Sequence, residues 1–129
     1  MSMPKDCRYT KEHEWARPEG DGIIVVGVTE YAAEKLGDIV YVELPKEGDE
    51  VTKDETFGFV ESTKSVSDLF APASGTVVEV NEALVDSPEI VNEDPWDEGW
   101  FIKVEMSDPR ELNKLMSAAE YEEYIGELD

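Results

Sequence analysis

Lys64 stands in Gly58-Phe59-Val60-Glu61-Ser62-Thr63-Lys64-Ser65-Val66-Ser67-Asp68, a single basic residue among carboxylates and hydroxyls. The residues before it alternate and read as a strand over 56–61. The run after it, Leu69-Phe70-Ala71-Pro72, leads through Ser74-Gly75 into another strand. This order predicts Lys64 near the tip of a hairpin, held out on a stiff support. An amine presented in this way suits covalent attachment of a cofactor that must reach other proteins. Taken alone, the local sequence fits a solvated hairpin lysine better.

The other residues able to do chemistry do not assemble into a set. His13, in Lys11-Glu12-His13-Glu14-Trp15, is the sole histidine. A metal site needs further nitrogen or sulfur ligands, and Cys7 is the only thiol. A serine triad needs an elbow of the Gly-x-Ser-x-Gly type, which the chain lacks. His13 is therefore expected to be structural or at the surface. With 32 Asp and Glu residues, carboxylates fall near one another by chance, and no acid–base pair stands out. Gly20-Asp21-Gly22 lacks the spacing and helix start of a phosphate loop, and residues 92–99 lack calcium-ligand spacing. Cys7 has no disulfide partner, no base and no resolving cysteine; it reads as a non-functional terminal thiol, with Arg8 expected to lower its pKa a little. No catalytic residue and no metal ligand is assigned. The chain reads as a carrier or binding module rather than an enzyme.

The elements that must position Lys64 are short and mostly extended. Ile23-Ile24-Val25-Val26-Gly27-Val28 follows the turn signal at residues 20–22 and is rich in β-branched residues. Thr29 is placed to cap a short helix over residues 30–36, with Gly37 where a left-handed residue is wanted. Ile39-Val40-Tyr41-Val42-Glu43-Leu44 is a second strong strand, stopped by Pro45, and a third segment surrounds Val51. Gly75-Thr76-Val77-Val78-Glu79-Val80 and Trp100-Phe101-Ile102-Lys103-Val104-Glu105 read as strands, with a loop or single helical turn across 81–94. Asp108, Pro109 and Glu111 form a helix start, and Ser117 with Glu120 repeats the capping-box pattern. Residues 9–15 are mixed and carry no clear period. The expectation is an all-β sandwich or barrel core over about 9–105, with a helical extension over about 108–126, as one domain spanning 1–129.

Composition narrows the partners. The 129 residues include 11 Lys and Arg against 32 Asp and Glu, a formal charge of −21. Phosphates would be repelled, so neither nucleic acid nor an anionic membrane is expected. The hydrophobic share of 40% is too high for a disordered chain and sufficient for one core. No apolar stretch approaches membrane-spanning length and the first residues lack a signal-peptide hydrophobic run, so a cytoplasmic protein is expected.

Several phrases together resemble the H-protein family of the glycine cleavage system. They include Tyr9-Thr10-Lys11-Glu12-His13-Glu14-Trp15, Gly27-Val28-Thr29-Glu30-Tyr31-Ala32 and Leu36-Gly37-Asp38-Ile39-Val40-Tyr41-Val42-Glu43-Leu44-Pro45. Farther on come Val60-Glu61-Ser62-Thr63-Lys64-Ser65-Val66-Ser67-Asp68, Ala71-Pro72-Ala73-Ser74-Gly75, Val80-Asn81-Glu82-Ala83-Leu84, Val91-Asn92-Glu93-Asp94-Pro95 and Gly99-Trp100. Their order is the family's, and they extend over nearly the whole chain.

The resemblance implies a mainly β fold, a barrel-sandwich hybrid of two small antiparallel sheets, with a short helix near 30–36 and C-terminal helices near 109–125. It implies that Lys64 carries one lipoate in amide linkage. The arm would take an aminomethyl group from a pyridoxal-phosphate-dependent glycine decarboxylase and pass it to a tetrahydrofolate-dependent aminomethyltransferase. A dihydrolipoyl dehydrogenase would then reoxidise the arm. A lipoate ligase or lipoyl/octanoyltransferase would load it, reading the acidic flank of Glu61 and Asp68. In the family the loaded arm folds into a cleft. The matching positions are Glu14 and Asp68, for the ammonium of the adduct, and Lys35, where the family often has histidine. Thr63 and Ser65 replace the Val and Ala common beside the modified residue. They also differ from the two methionines that typically flank a biotin-carrier lysine. The same Lys64 would serve the alternative role of a lipoyl or octanoyl relay to other complexes.

Overall fold

The computed structural model describes residues 4–128. Strands β1 (Arg8–Tyr9) and β2 (Glu14–Gly20) open the chain, and a turn with positive φ at Gly20, Asp21 and Gly22 returns it as β3 (Ile23–Val28). Helix α1 (Glu30–Leu36) starts on Thr29, whose buried hydroxyl accepts from the Ala32 N–H at 3.2 Å, and ends at Gly37 with φ +83°. The strands β4 (Ile39–Glu43), β5 (Glu50–Val51), β6 (Thr56–Ser62), β7 (Val66–Phe70) and β8 (Gly75–Val80) follow. Single-turn helices α2 (Ala83–Asp86) and α3 (Ile90–Glu93) lead to β9 (Ile102–Met106). A 3-10 helix (Pro109–Lys114) and helix α4 (Ala118–Leu128) close the chain.

Two antiparallel sheets result, without a closed barrel, in line with the expected mainly β architecture. The larger runs β1-β2-β3-β9-β8-β5 and the smaller β4-β6-β7. Val42, Val60 and Leu69 of the small sheet meet Ala16, Ile24, Val26, Val77, Ile102 and Val104 of the large one in a single buried cluster. Alternation supplies these residues, since every second side chain of a strand faces the same side. The opposite face of the large sheet carries a second cluster of Cys7, Tyr9, Trp15, Val25 and Tyr121, where α4 packs down. Gly27 lies directly opposite Trp15, and a β-carbon there would come within 2.5 Å of the indole. The glycine seats the tryptophan.

Some sequence expectations needed correction. β2 was not anticipated, because Pro18 and its charged neighbours interrupt the period. β1 pairs with β2 only as far as Ala16, so Pro18 lies where β2 is an edge, the position at which a sheet tolerates proline. The segment 81–94 holds two helical turns rather than one. Asp108 and Pro109 start a 3-10 helix, Asp108 accepting from the Arg110 N–H, whereas the α-helix begins after Ser117. There the expected reciprocal cap forms: the Glu120 N–H donates to Ser117 Oγ at 3.2 Å and the Ser117 N–H to Glu120 Oε1 at 2.8 Å. Cys7 was expected to have a slightly lowered pKa. It is instead buried and pushed up to about 12, first by burial and then by Asp6, with Arg17 opposing. Among the described residues no helix is long and apolar enough to cross a membrane.

Candidate functional site

Strands β6 and β7 pair Glu61 with Val66, so Ser62 faces Ser65 and only Thr63 and Lys64 form the loop. Two-residue hairpins favour turns with positive φ, yet neither Thr63 nor Lys64 has one. Ser62 resolves the mismatch. Its N–H donates to the Ser65 carbonyl at 2.8 Å, while its Oγ accepts from the Lys64 and Ser65 N–H groups, each at 3.1 Å. A side-chain hydroxyl thus replaces a main-chain acceptor at the tip. The Thr63 N–H donates to the Asp38 carbonyl at 3.1 Å, tying the tip to the link between α1 and β4. That link is itself clamped by Asn92, whose Nδ2 donates to Gly37 O at 2.8 Å and whose Oδ1 accepts from the Ile39 N–H at 2.9 Å.

Lys64 is exposed, and its stem lies over Gly37: a β-carbon at Gly37 would stand 3.2 Å from Lys64 Cε. Any larger residue would push the stem aside, and φ +83° disfavours one on backbone grounds as well. The tip, the link and Asn92 form one supported platform for an amine that stays accessible.

Beside this platform, β2, α1 and β7 enclose a cavity of about 130 Å³. Glu14, Lys35 and Asp68 all line it, together with His13 and the apolar Val28, Leu36 and Leu69. Glu61 does not; it sits on the outer face of the small sheet between Tyr41 and Val66. Glu14 is 1% exposed, accepting from the Thr10 hydroxyl at 2.7 Å and the Phe70 N–H at 3.2 Å. Burial raises its pKa to about 8 against the opposing pull of those two bonds, so the carboxyl is largely neutral near pH 7. Asp68, by contrast, is exposed at the rim. The Lys35 ammonium lies 5.4 Å from the centre of the Tyr31 ring.

His13 is half-buried rather than at the open surface, and it is held in the left-handed region at φ 72°. Its Nδ1 and the Tyr121 hydroxyl share a 2.9 Å hydrogen bond, and that hydroxyl lies 2.7 Å from Thr29 Oγ1. The Thr29 N–H donates to the His13 carbonyl at 2.9 Å. Burial lowers the histidine pKa, partly offset by Glu12. The knot joins the cleft wall, the start of α1 and the C-terminal helix.

The glycine cleavage H-protein family model matches residues 7–128. The chain belongs to the glycine cleavage H-protein family. A glycine cleavage system H protein of Anaeromyxobacter sp. (strain K) is 59% identical over 129 residues, covering both chains completely. One from Staphylococcus carnosus is 53% identical over 127 residues, 98% of this chain and all of the relative. The crystal structure of a glycine cleavage system H protein from Mycobacterium marinum superposes with a TM-score of 0.88 at 45% identity, covering 96% of this chain and 99% of that one. Within this H-protein fold, sequence reasoning missed Ser62, Asn92, Gly37 as a rest for the stem, and Tyr121 as a cleft support. Asn92 falls in one of the quoted phrases, but nothing in its neighbourhood marks a partner 55 residues away.

Proposed function

We propose that Lys64 is the lipoyl-bearing residue of this H-protein and that the cavity beside it receives the loaded arm. As a member of its family the chain is the lipoyl carrier of the glycine cleavage system. The observation that carries the assignment is the clamped two-residue tip, which holds one exposed lysine over Gly37 while leaving its amine open to an enzyme. Attachment requires a neutral Nζ to attack the carbonyl of an activated lipoyl donor. An amide C–N bond forms, the activating group leaves and the amine loses a proton to solvent. The resulting side chain is uncharged, and nothing in the hairpin depends on the lost charge.

The cavity suits such an arm chemically. Its apolar lining from Val28, Leu36 and Leu69 matches a hydrocarbon chain, and Glu14 supplies a polar end point. When attached, the dithiolane supplies the redox and carrying chemistry for the aminomethyl unit of glycine. The chain's own residues orient and shield. Glu14 starts largely protonated, so an ammonium brought against it draws out the proton and acquires a buried counter-ion. Asp68 adds a second negative charge at the rim, and Lys35 adds a cation from α1. The partners in this reading are the pyridoxal-phosphate-dependent decarboxylase, the aminomethyltransferase, dihydrolipoyl dehydrogenase and the enzyme that attaches lipoate, in the cytoplasm. Intact mass after incubation with lipoate ligase, lipoate and ATP tests the attachment. One lipoyl increment is expected on the natural chain and none on Lys64→Arg; an increment that persists in the variant sinks the assignment.

A further inference from the structure

The outer face of the small sheet carries side chains that neither the core nor the cleft uses. Cross-strand register places Tyr41, Glu61 and Val66 in one row immediately below the tip, and Glu43 and Phe59 in the next. Their inward neighbours Val42, Val60 and Leu69 are buried, so these five point away from the core. Val66 is 62% exposed and Tyr41 42%, and the Tyr41 and Phe59 rings lie 5.8 Å apart across the strands. The Tyr41 hydroxyl donates to Glu43. The result is an apolar patch interleaved with two carboxylates, Glu43 and Glu61. Isolated exposed valines need no explanation, but a valine, a tyrosine and a phenylalanine grouped on one face mark a contact surface.

We propose that this face is the docking surface for the enzyme that acylates Lys64, a partner with an apolar centre and a basic rim. This rests on the lipoyl reading of Lys64. Charge complementarity sets the rim, because two carboxylates on this face of a chain of charge −21 repel an acidic partner and steer a basic one. Reach selects the enzyme among the possible partners. An acylating enzyme must bring its activated carbonyl to the lysine nitrogen itself, so it must press on the surface adjoining the tip. Enzymes that act at the far end of a finished arm meet the chain at a distance. On the other side the lysine stem already lies against Gly37 and Thr63 is tied to Asp38, which leaves the outer face as the open approach.

The test measures acylation of the full-length apo chain by lipoate ligase with lipoate and ATP, read by intact mass over time. Tyr41→Ser and Val66→Ser should each lower kcat/KM by roughly five- to tenfold, in the range of a central interface side chain. Val85→Ser, on α2 and 58% exposed, should leave it unchanged. Glu43→Gln should lower kcat/KM and weaken its dependence on salt. Unaltered thermal melting of each variant separates docking from folding. Equal rates for the natural chain and both serine variants would overturn the docking surface while leaving Lys64 as the attachment point. Normal acylation with slower loading by the decarboxylase would also overturn it, since the face would then belong to another partner. Failure of the natural chain to be acylated at Lys64 would remove both readings together.

Discussion

Glu14 and Ser62 show how single side chains set the properties of the arm site. Glu14 binds a proton more tightly folded than unfolded, because burial raises its pKa from the ordinary carboxylate value to about 8. The sign follows directly. Below about pH 4.5 both states are protonated and Glu14 contributes no pH dependence. Between there and about 8 the unfolded chain loses the proton while the folded one retains it, so stability falls as pH rises. Above 8 the penalty is constant. Melting curves from pH 5 to 8 should therefore slope downward in the natural chain, with this group adding up to about 1.4 kcal/mol per pH unit. Glu14→Gln should flatten that slope, and parallel curves for the two proteins would contradict the raised pKa. Ser62→Ala addresses the tip instead. Removing Oγ leaves the Lys64 and Ser65 N–H groups to solvent, which compensates because the turn is exposed. Global stability should change by less than about 1 kcal/mol, while hydrogen exchange at those two amides accelerates. Exchange that stays slow would mean the turn does not need the serine. Lys64 itself was legible from the alternating strand before it and the phrase around it. Ser62 was not, because a serine in a polar turn has no sequence mark that separates a solvated hydroxyl from one bonded to two amides.

Among the elements, those with local rules could be read from the sequence and those with long-range causes could not. Thr29 and Gly37 bracket α1 through bonds within one turn, and β3, β4 and β8 follow from runs of β-branched residues. The central strand β6 was legible, but the return strand of its hairpin was expected only at 75–80, whereas the chain turns back at once as the edge strand β7. The strand β2 was hidden because Pro18 is admissible only once β1 is seen to end before it. Likewise α4 gave a legible cap at Ser117, but its role depends on Tyr121, which reaches Thr29 and His13, 92 and 108 residues earlier. Tyr121→Phe deletes a hydroxyl that joins α4 to the start of α1 and the cleft wall. It leaves Thr29 Oγ1 and His13 Nδ1 short of a buried partner, which should cost about 1–3 kcal/mol. Amide protection should fall in α1 and α4 together. Loss confined to α4 would show that the helix is merely a cover over Tyr9 and Trp15. Gly27→Ala tests the opposite side of that helix's cluster. A methyl placed 2.5 Å from the Trp15 indole must displace the ring, at about 1–3 kcal/mol, and should alter tryptophan emission.

At the scale of the whole molecule the charge of −21 sets the conditions under which all of this holds. Like charges on a compact body repel one another, and unfolding relieves the repulsion by spreading them apart. Salt acts against that term and also against the favourable ion pairs, so the net sign depends on which is larger. Pairs among the described residues, each with at least one partner well exposed, include Lys103 with Glu19 at 2.9 Å and Glu79 at 3.5 Å, Arg110 with Asp108 at 3.0 Å, and Lys53 with Asp54 at 3.6 Å. Such surface pairs contribute from nothing to about 1 kcal/mol each. With 32 acidic residues against 11 basic ones, repulsion outweighs them. Raising sodium chloride from about 0.02 to 0.3 M shortens the screening length from roughly 20 to 6 Å. The melting temperature should therefore rise, by about 3–8 °C if screening recovers 1–2 kcal/mol in a domain of this size. Comparing sodium chloride with an equal ionic strength of sodium sulfate separates screening from the exclusion of sulfate, which strengthens apolar burial. A melting temperature that falls with chloride would place the dominant electrostatic term in the ion pairs. The same screening should slow acylation of Lys64 even as the fold becomes firmer, because an acidic carrier finds a basic partner through the field that salt removes. Stability and encounter rate moving in opposite directions along one salt series would distinguish this carrier from one whose contacts are mainly apolar.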